Sequence, residues 1–276
     1  MSSSKQKLIE HLSHYGIRHF SDDSYWDWGG EQLGERGTGK LNRLRLPLQE
    51  GCATAEEMRS FYDFISEPKI GAVVHSSKAD AIRASGEAIK DHLGGRLRIL
   101  DLGCGFGYLT TWYAAINSDR HVVGLDISEK SIRQARRFAG RLRFRNVEFL
   151  VADIADKIPG GTYDAIVDSQ CLSTISHYSP EAFFRSLTNL RLALTLNGIL
   201  ISVSAIGDTA RAHEFIEALH KSGFGILSFE FIFHSDLNDT QAYPLICASP
   251  GIPSVQFNLK EAYERAAQEC MRRSMS

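Results

Sequence analysis

Arg98-Ile99-Leu100-Asp101-Leu102-Gly103-Cys104-Gly105-Phe106-Gly107-Tyr108-Leu109-Thr110 joins a short apolar run closed by an acid to a helix-forming segment, through three alternating glycines. The apolar run predicts a buried strand over 98–102, and Tyr108 to Asn117 predicts the helix that follows it. Glycines between the two permit φ > 0 and remove the Cβ atoms that would keep a ligand off the main chain. A ligand there can reach backbone N–H groups at the helix N-terminus, so the stretch reads as a nucleoside-cofactor loop.

Spacing separates two cofactor classes. Dinucleotide sites use G-x-G-x-x-G, whereas Tyr108 stands where that third glycine would fall. The pattern D-x-G-x-G-x-G, Asp101 to Gly107, instead resembles motif I of the class I S-adenosylmethionine-dependent methyltransferases.

The segments that follow agree in order. His121-Val122-Val123-Gly124-Leu125-Asp126-Ile127-Ser128 reads as a second strand ending in a carboxylate about twenty residues past the glycines, from which Asp126 could bind ribose hydroxyls. Val147 to Ile154 resembles the third family strand, and the resemblance assigns Asp153 and Ile154 to the edge and face of the adenine. Tyr163 to Gln170 resembles the fourth strand and its exit, Leu196 to Val203 the fifth, and 225–234 with 242–249 the last two. Where relatives often carry Pro-Gly-Gly before the fifth strand, this chain has Leu196-Asn197-Gly198. The resemblance runs from about Ala79 to Ser249. It implies an α/β, doubly wound, mostly parallel seven-stranded Rossmann-like sheet with an antiparallel last strand, and S-adenosylmethionine as cofactor. It also implies a binding set of Asp101, Gly103, Cys104, Gly105, Gly107, Asp126, Ile127, Asp153, Ile154 and Ser169.

Strand and helix alternate from Leu97 onward, which predicts helices on both sheet faces and right-handed crossovers. A helix over 78–93 precedes the first strand, with Ile82, Ser85, Ile89 and Leu93 on one side and Gly86 as its weak point. Another covers 208–222. Three regions result: a cap or lid region over 1–77, the cofactor-binding core over 78–250, and a linker with a C-terminal helix over 251–276. That helix, 259–273, could back the sheet or make a homodimer contact.

The 276 residues are 43% hydrophobic and 23% charged, ordinary for a globular chain. A polar start and the lack of an eighteen-residue apolar run make a cytoplasmic location the expectation, with no membrane partner. Net charge is −2, so there is no global attraction to nucleic acid. Six arginines between 133 and 145 (Arg133, Arg136, Arg137, Arg141, Arg143, Arg145) read as a solvated helix face rather than an anion-docking patch. The five cysteines, Cys52, Cys104, Cys171, Cys247 and Cys270, are odd in number and lack C-x-x-C spacing; free thiols are expected, with no zinc site.

The front segment is rich in aromatics. Tyr25-Trp26-Asp27-Trp28 resembles the Tyr-Trp-Asp opening of several small-molecule methyltransferases, which implies that Trp26 closes over the methionine end of the cofactor, where an aromatic face suits a sulfonium. Gly34-Glu35-Arg36-Gly37-Thr38-Gly39-Lys40-Leu41 nearly spells a P-loop, but Leu41 replaces the Mg²⁺-binding hydroxyl and no buried strand precedes it. A hinge or lid loop is expected there.

Methyl transfer is an in-line displacement, so positioning and exclusion of water matter most, and a base is needed only for an acceptor that must lose a proton. In the family the loop after the fourth strand faces the acceptor, which makes His177 the first candidate base, ahead of His75 and Asp168. Relatives often place a histidine where this chain has Thr174. Aromatic, compact additions without a basic groove favour a small organic acceptor. A peptide or protein acceptor, a non-catalytic cofactor-binding protein and, more remotely, an NAD-dependent dehydrogenase are the rival readings.

Overall fold

The computed structural model describes residues 4–50, 53–237 and 239–275; Cys52 lies outside them. Seven strands form one sheet in the order β3-β2-β1-β4-β5-β7-β6. They are β1 (Arg98–Leu102), β2 (His121–Asp126), β3 (Val147–Val151), β4 (Tyr163–Ser169), β5 (Leu194–Val203), β6 (Phe224–Asp236) and β7 (Asp239–Pro250). The first five are parallel, and β7 runs antiparallel to both β5 and β6. Helices cover both faces, which is why β1, β2 and β4 can be nearly continuous apolar runs. Register puts Asp101 of β1 opposite Gly124 and Val167, and Leu102 opposite Asp168. The acids that close these strands therefore converge on one edge of the sheet.

The predicted helix before β1 is α5 (Ala79–Leu93) in the series that begins with α1 (Ser4–Ser13), α2 (Ser24–Gln49), α3 (Ala55–Ile65) and α4 (Pro68–Ser76). Ile82, Ser85, Ile89 and Leu93 are all buried, as their spacing requires. Gly86, the weak point by propensity, is a close-approach site. A Cβ there would lie 2.8 Å from Leu109 and 3.0 Å from Leu8, side chains of α6 (Tyr108–Ala115) and α1. Leu8 and Leu12, with Tyr15 and Ile17 beyond the helix, belong to the same core as Ile89, Trp112 and Tyr113. The first segment is thus built into the core face, while α2 to α4, the rest of the region expected to form a cap, pack around a small core of their own, Leu41, Phe61 and Ile65.

The near P-loop is not a loop. It lies inside α2, whose helical path is broken only at Gly34, with φ 63° and ψ 171°. That backbone region is open essentially to glycine alone, so one residue kinks the helix and both flanks stay helical. Helix α3 starts on a capping box: Thr54 Oγ1 accepts from Glu57 N–H at 3.2 Å while Thr54 N–H donates to Glu57 Oε2 at 2.8 Å.

Strands β6 and β7 extend well past their pairing with β5 as a long hairpin. Its Asp236 accepts from the N–H groups of Asp80 and Ala81 at 2.8 and 3.0 Å, satisfying orphan donors at the start of α5. The linker runs beside β6, and α11 (Leu259–Ser274) packs on β7 and on α10 (Thr209–Lys221), with Tyr263 donating to Ile206 O at 3.0 Å. The C-terminal helix backs the sheet. On α7 (Glu129–Arg141), Arg136 bonds Phe149 O and Arg141 bonds His14 O, so two of the six arginines hold neighbouring structure together, while Arg133 pairs with Glu129 along the exposed face of the same helix.

Candidate functional site

The three loop glycines do different work. Each has positive φ: 60° at Gly103, 53° at Gly105 and 78° at Gly107. A Cβ on Gly103 would sit 2.8 Å from Cys171, and one on Gly107 2.5 Å from Phe149, so both positions are closed by neighbours. Around Gly105 there is nothing within 4 Å of where a Cβ would lie. The main chain at Gly105 is therefore bare towards open space, the cradle that a nucleoside cofactor needs. Cys104 turns its sulfur into a small core with Ile132, Ala135 and Phe149, so only its backbone borders this space.

At the end of β2, Asp126 Oδ2 accepts from Gly105 N–H at 3.0 Å and Oδ1 from Ser128 N–H at 2.8 Å. The carboxylate thus fixes the glycine loop against the strand where ribose hydroxyls would be met. Burial pushes its pKa up, against the two backbone bonds. Ile127, half exposed, offers an apolar face beside it, whereas Ile154 is packed into the core. Asp153 is exposed and accepts from Ala155 N–H at 2.8 Å. Ser169, half-buried, ends β4.

Asp101 is buried and bonded by Thr110 Oγ1 at 2.6 Å; burial, then the neighbouring Asp168 and Asp126, raise its pKa to about 7. Asp168 accepts from Cys171 N–H, Leu172 N–H and Ser202 Oγ, at 2.8, 3.0 and 2.6 Å, and burial raises it to about 6. Oδ1 takes the two N–H groups that start α8 (Cys171–Tyr178), Oδ2 takes Ser202 of β5, and no surface remains exposed, so Asp168 ties β4, β5 and α8 together. Two buried carboxylates, Asp101 and Asp168, and the half-buried Asp126 at one strand edge form a site that favours a cation or a hydrogen-bond donor.

A pH dependence follows. Both acids hold their protons more tightly folded than unfolded, so their contribution to stability is present at low pH and declines from about pH 4 towards pH 7. A cationic ligand reverses the preference by favouring the ionised forms. S-adenosylmethionine should therefore gain affinity relative to the uncharged-sulfur product between about pH 5 and pH 8, with net proton release near pH 6–7. Calorimetry in two buffers of different ionisation enthalpy measures that release; no release would remove these carboxyls from the cationic end of the site.

The cap reaches this site through α3 and α4. Asp63 accepts from Ser128 Oγ at 3.0 Å and pairs with Lys130 at 3.3 Å, and Ser66 and Ser131 share a 2.7 Å bond. Tyr62, one residue before Asp63, lies beside Thr174, Cys171, Tyr178 and Asp126; burial lifts its phenol to about 12. A Cβ on Gly71 would lie 2.1 Å from the Phe106 ring, so α4 rests directly on the glycine loop. His75 packs edge-on against Phe106 and Tyr108 and is held neutral, with its pKa lowered to about 4 by burial and by Lys78. Trp26 is placed differently from its expected role: it is 61% exposed on α2 and meets the ring of Tyr25, itself packed on α4. Among the cap aromatics, Tyr62 is brought beside Asp126 and α8.

Helix α8 has a second side. It walls a cleft of about 790 Å³ together with α9 (Pro180–Ala193) and α10. Gln170, Thr174, His177, Phe183, Ile206 and Arg211 are among its lining residues. Gln170, with φ 72°, is the left-handed turn from which α8 springs. His177 Nδ1 accepts from an Arg211 guanidinium N–H. Arginine can only donate, so the imidazole proton sits on Nε2 and the lone pair needed by a base is occupied. Burial and Arg211 both lower the His177 pKa. The ring is on the expected wall, as a neutral donor.

Sequence reading missed Tyr62, Asp63, Ser66 and Arg211. No local spacing signals them, because each meets its partner across at least 34 residues of chain.

A model of the methyltransferase domain family matches residues 93–232, just over half of the chain. The malonyl-(acyl-carrier protein) O-methyltransferase of Bacillus cereus is 30% identical over 126 residues, which covers 46% of this chain and 42% of that protein. The ribosomal RNA small subunit methyltransferase G of Alkalilimnicola ehrlichii is 30% identical over 151 residues, 51% of this chain and 65% of that protein. The chain thus spans less than two thirds of either relative, and the two are named for different acceptors. The crystal structure of the PH0226 protein from Pyrococcus horikoshii OT3 shares the fold, with a TM-score of 0.52 at 21% identity over 63% of this chain and 91% of that one. Matched over just over half its length, and carrying the motif I loop on the first strand of the expected sheet, the chain belongs to the methyltransferase domain family, the class I S-adenosylmethionine-dependent methyltransferases.

Proposed function

We propose that the protein transfers a methyl group from S-adenosylmethionine to an oxygen, nitrogen or carbon nucleophile of a small organic molecule held in the cleft behind α8, releasing S-adenosylhomocysteine. The observation that carries this reading is the shared wall. Cys171 of α8 abuts Gly103 of the cofactor loop, while Thr174 and His177 of the same helix line the cleft. A volume of about 790 Å³ suits a small organic ligand.

The residues present fit the cofactor: bare backbone at Gly105, Asp126 for the ribose, Ile127 for the adenine face, Asp101 and its neighbours for cationic groups. When bound, S-adenosylmethionine supplies a methyl group on a positively charged sulfur. The chain's own task is to align an acceptor with that methyl and keep water out, a contribution of up to ~7–11 kcal/mol. Tyr62 on α3 and Phe106 under α4 supply the covering surface. The test is consumption of S-adenosylmethionine with radiolabel transfer to a panel of small acceptors, beside peptide and RNA controls. Label appearing only in peptide or RNA would overturn the acceptor class, and binding with no transfer to any acceptor would favour a non-catalytic binder.

His177 belongs on the acceptor side. His177→Ala should leave cofactor affinity within about twofold and lower kcat/KM by roughly tenfold, the loss of one hydrogen bond of ~1.5 kcal/mol. A fall of more than roughly 10²-fold confined to kcat would instead identify a base released from Arg211. An unchanged kcat/KM would remove His177 from the site.

A further inference from the structure

We infer that the molecule bound in the α8–α10 cleft is an organic anion, an apolar body bearing a carboxylate, with Arg211 and Lys78 as its charge-recognising residues. The inference rests on the reading of this cleft as the acceptor site and adds the acceptor's charge.

Its first support is unspent positive charge. Lys78, Arg211 and Lys221 line the cleft against Glu214 and Glu217. Lys221 is neutralised by Glu217 at 2.8 Å. Among the described residues neither Arg211 nor Lys78 has a carboxylate within ion-pair distance, and Glu214, one turn along α10 from Arg211, pairs with neither. The acid whose field reaches Lys78 is Asp236, already engaged by Asp80 N–H, Ala81 N–H and His234. Burial and Arg45 lower the Lys78 pKa, so its ammonium would gain from an anion.

The second support is the Arg211–His177 bond. It fixes His177 with its proton on Nε2, so the pair presents guanidinium and imidazole N–H groups and no acceptor from either ring nitrogen. A planar guanidinium fork matches a carboxylate in two bonds. Phe183, Phe184 and Ile206 supply the apolar lining for the rest of the molecule.

The third is charge segregation across α8. On the glycine-loop side the acids are Asp101, Asp126 and Asp168; on the cleft side the groups without an ion-pair partner among the described residues are two cations, Lys78 and Arg211, and one acid, Glu214, a net positive lining. A cationic cofactor and an anionic acceptor would each meet the opposite sign, and would attract each other across the transfer gap.

The test is calorimetry on the full chain saturated with S-adenosylhomocysteine, with benzoate, 4-hydroxybenzoate and indole-3-acetate as probes, each beside its carboxamide. At least one carboxylate should bind at least tenfold more tightly than its carboxamide. Arg211→Gln should abolish that difference, Arg211→Lys should keep part of it, and Lys78→Gln should reduce it. All variants should retain product-cofactor affinity, which also shows that they fold. Equal binding of carboxylate and carboxamide, a preference that persists in Arg211→Gln, or no carboxylate binding to a wild type that does bind S-adenosylhomocysteine overturns the inference. Failure of the wild type to bind S-adenosylhomocysteine overturns the cofactor reading instead.

Discussion

Asp126→Ala should abolish cofactor binding at micromolar concentrations while leaving the fold intact. Two effects add. In the proposed site the carboxylate accepts from ribose hydroxyls, and charge-assisted hydrogen bonds of this kind contribute ~1.5–3 kcal/mol each. It also ties the glycine loop down, by accepting Gly105 N–H at 3.0 Å and Ser128 N–H at 2.8 Å. Two lost bonds alone amount to roughly 10²-fold or more in Kd. Because burial raises the Asp126 pKa in the folded protein, its removal takes away an unfavourably buried charge, so stability should change little. Calorimetric titration with S-adenosylhomocysteine, beside thermal unfolding of the same variant, separates the two readouts. Binding within threefold of wild type would take Asp126 out of the site.

Gly107→Ala should give the largest loss of stability in the loop. The position has φ 78°, where an L side chain costs ~1–2 kcal/mol, and its Cβ would enter the Phe149 ring at 2.5 Å, with Ala135 at 3.2 Å behind it. Overpacking of that kind adds ~1–3 kcal/mol. The sum, about 2–5 kcal/mol, corresponds to a fall in Tm on the order of 10 °C for a chain of this size. Gly105→Ala is the matched comparison: φ is again positive, at 53°, but the added methyl meets nothing within 4 Å. It should lose less stability and more cofactor affinity, because the methyl projects into the cradle. Differential scanning calorimetry and ligand titration on both variants check the pair; equal Tm losses would mean that neighbour packing does not distinguish the two glycines.

Strands 98–102 and 121–126, helix α5 and the reversed final strand all stood close to where the sequence placed them. The signals of the first three are local, an apolar run, a closing acid, a glycine at the turn, a 3.6-residue period, whereas the reversal of the last strand came from the family resemblance. Where local reading failed, a distant partner decided the outcome. Gly34 looked like part of a phosphate loop because glycines and a lysine cluster there, but helix-forming residues on both sides reduce the break to one kinked position. Trp26 looked like a cofactor lid by motif, yet its outward place on α2 follows from Tyr25 taking the buried side against α4. His177 was singled out by residue type and place, and its partner Arg211, 34 residues away, could not be read from either.

By itself the sequence determined the cofactor class and the sheet that carries it, because both depend on glycine spacing and on acids at strand ends, which are properties of short contiguous stretches. Only the tertiary structure decided which residues cover that loop and what lies behind α8. Tyr62 with Thr174, Asp63 with Ser128 and Arg211 with His177 are brought together by packing of elements far apart in the chain. The pKa shifts of Asp101 and Asp168 arise from burial by such neighbours, and no pattern of adjacent residues encodes a desolvation.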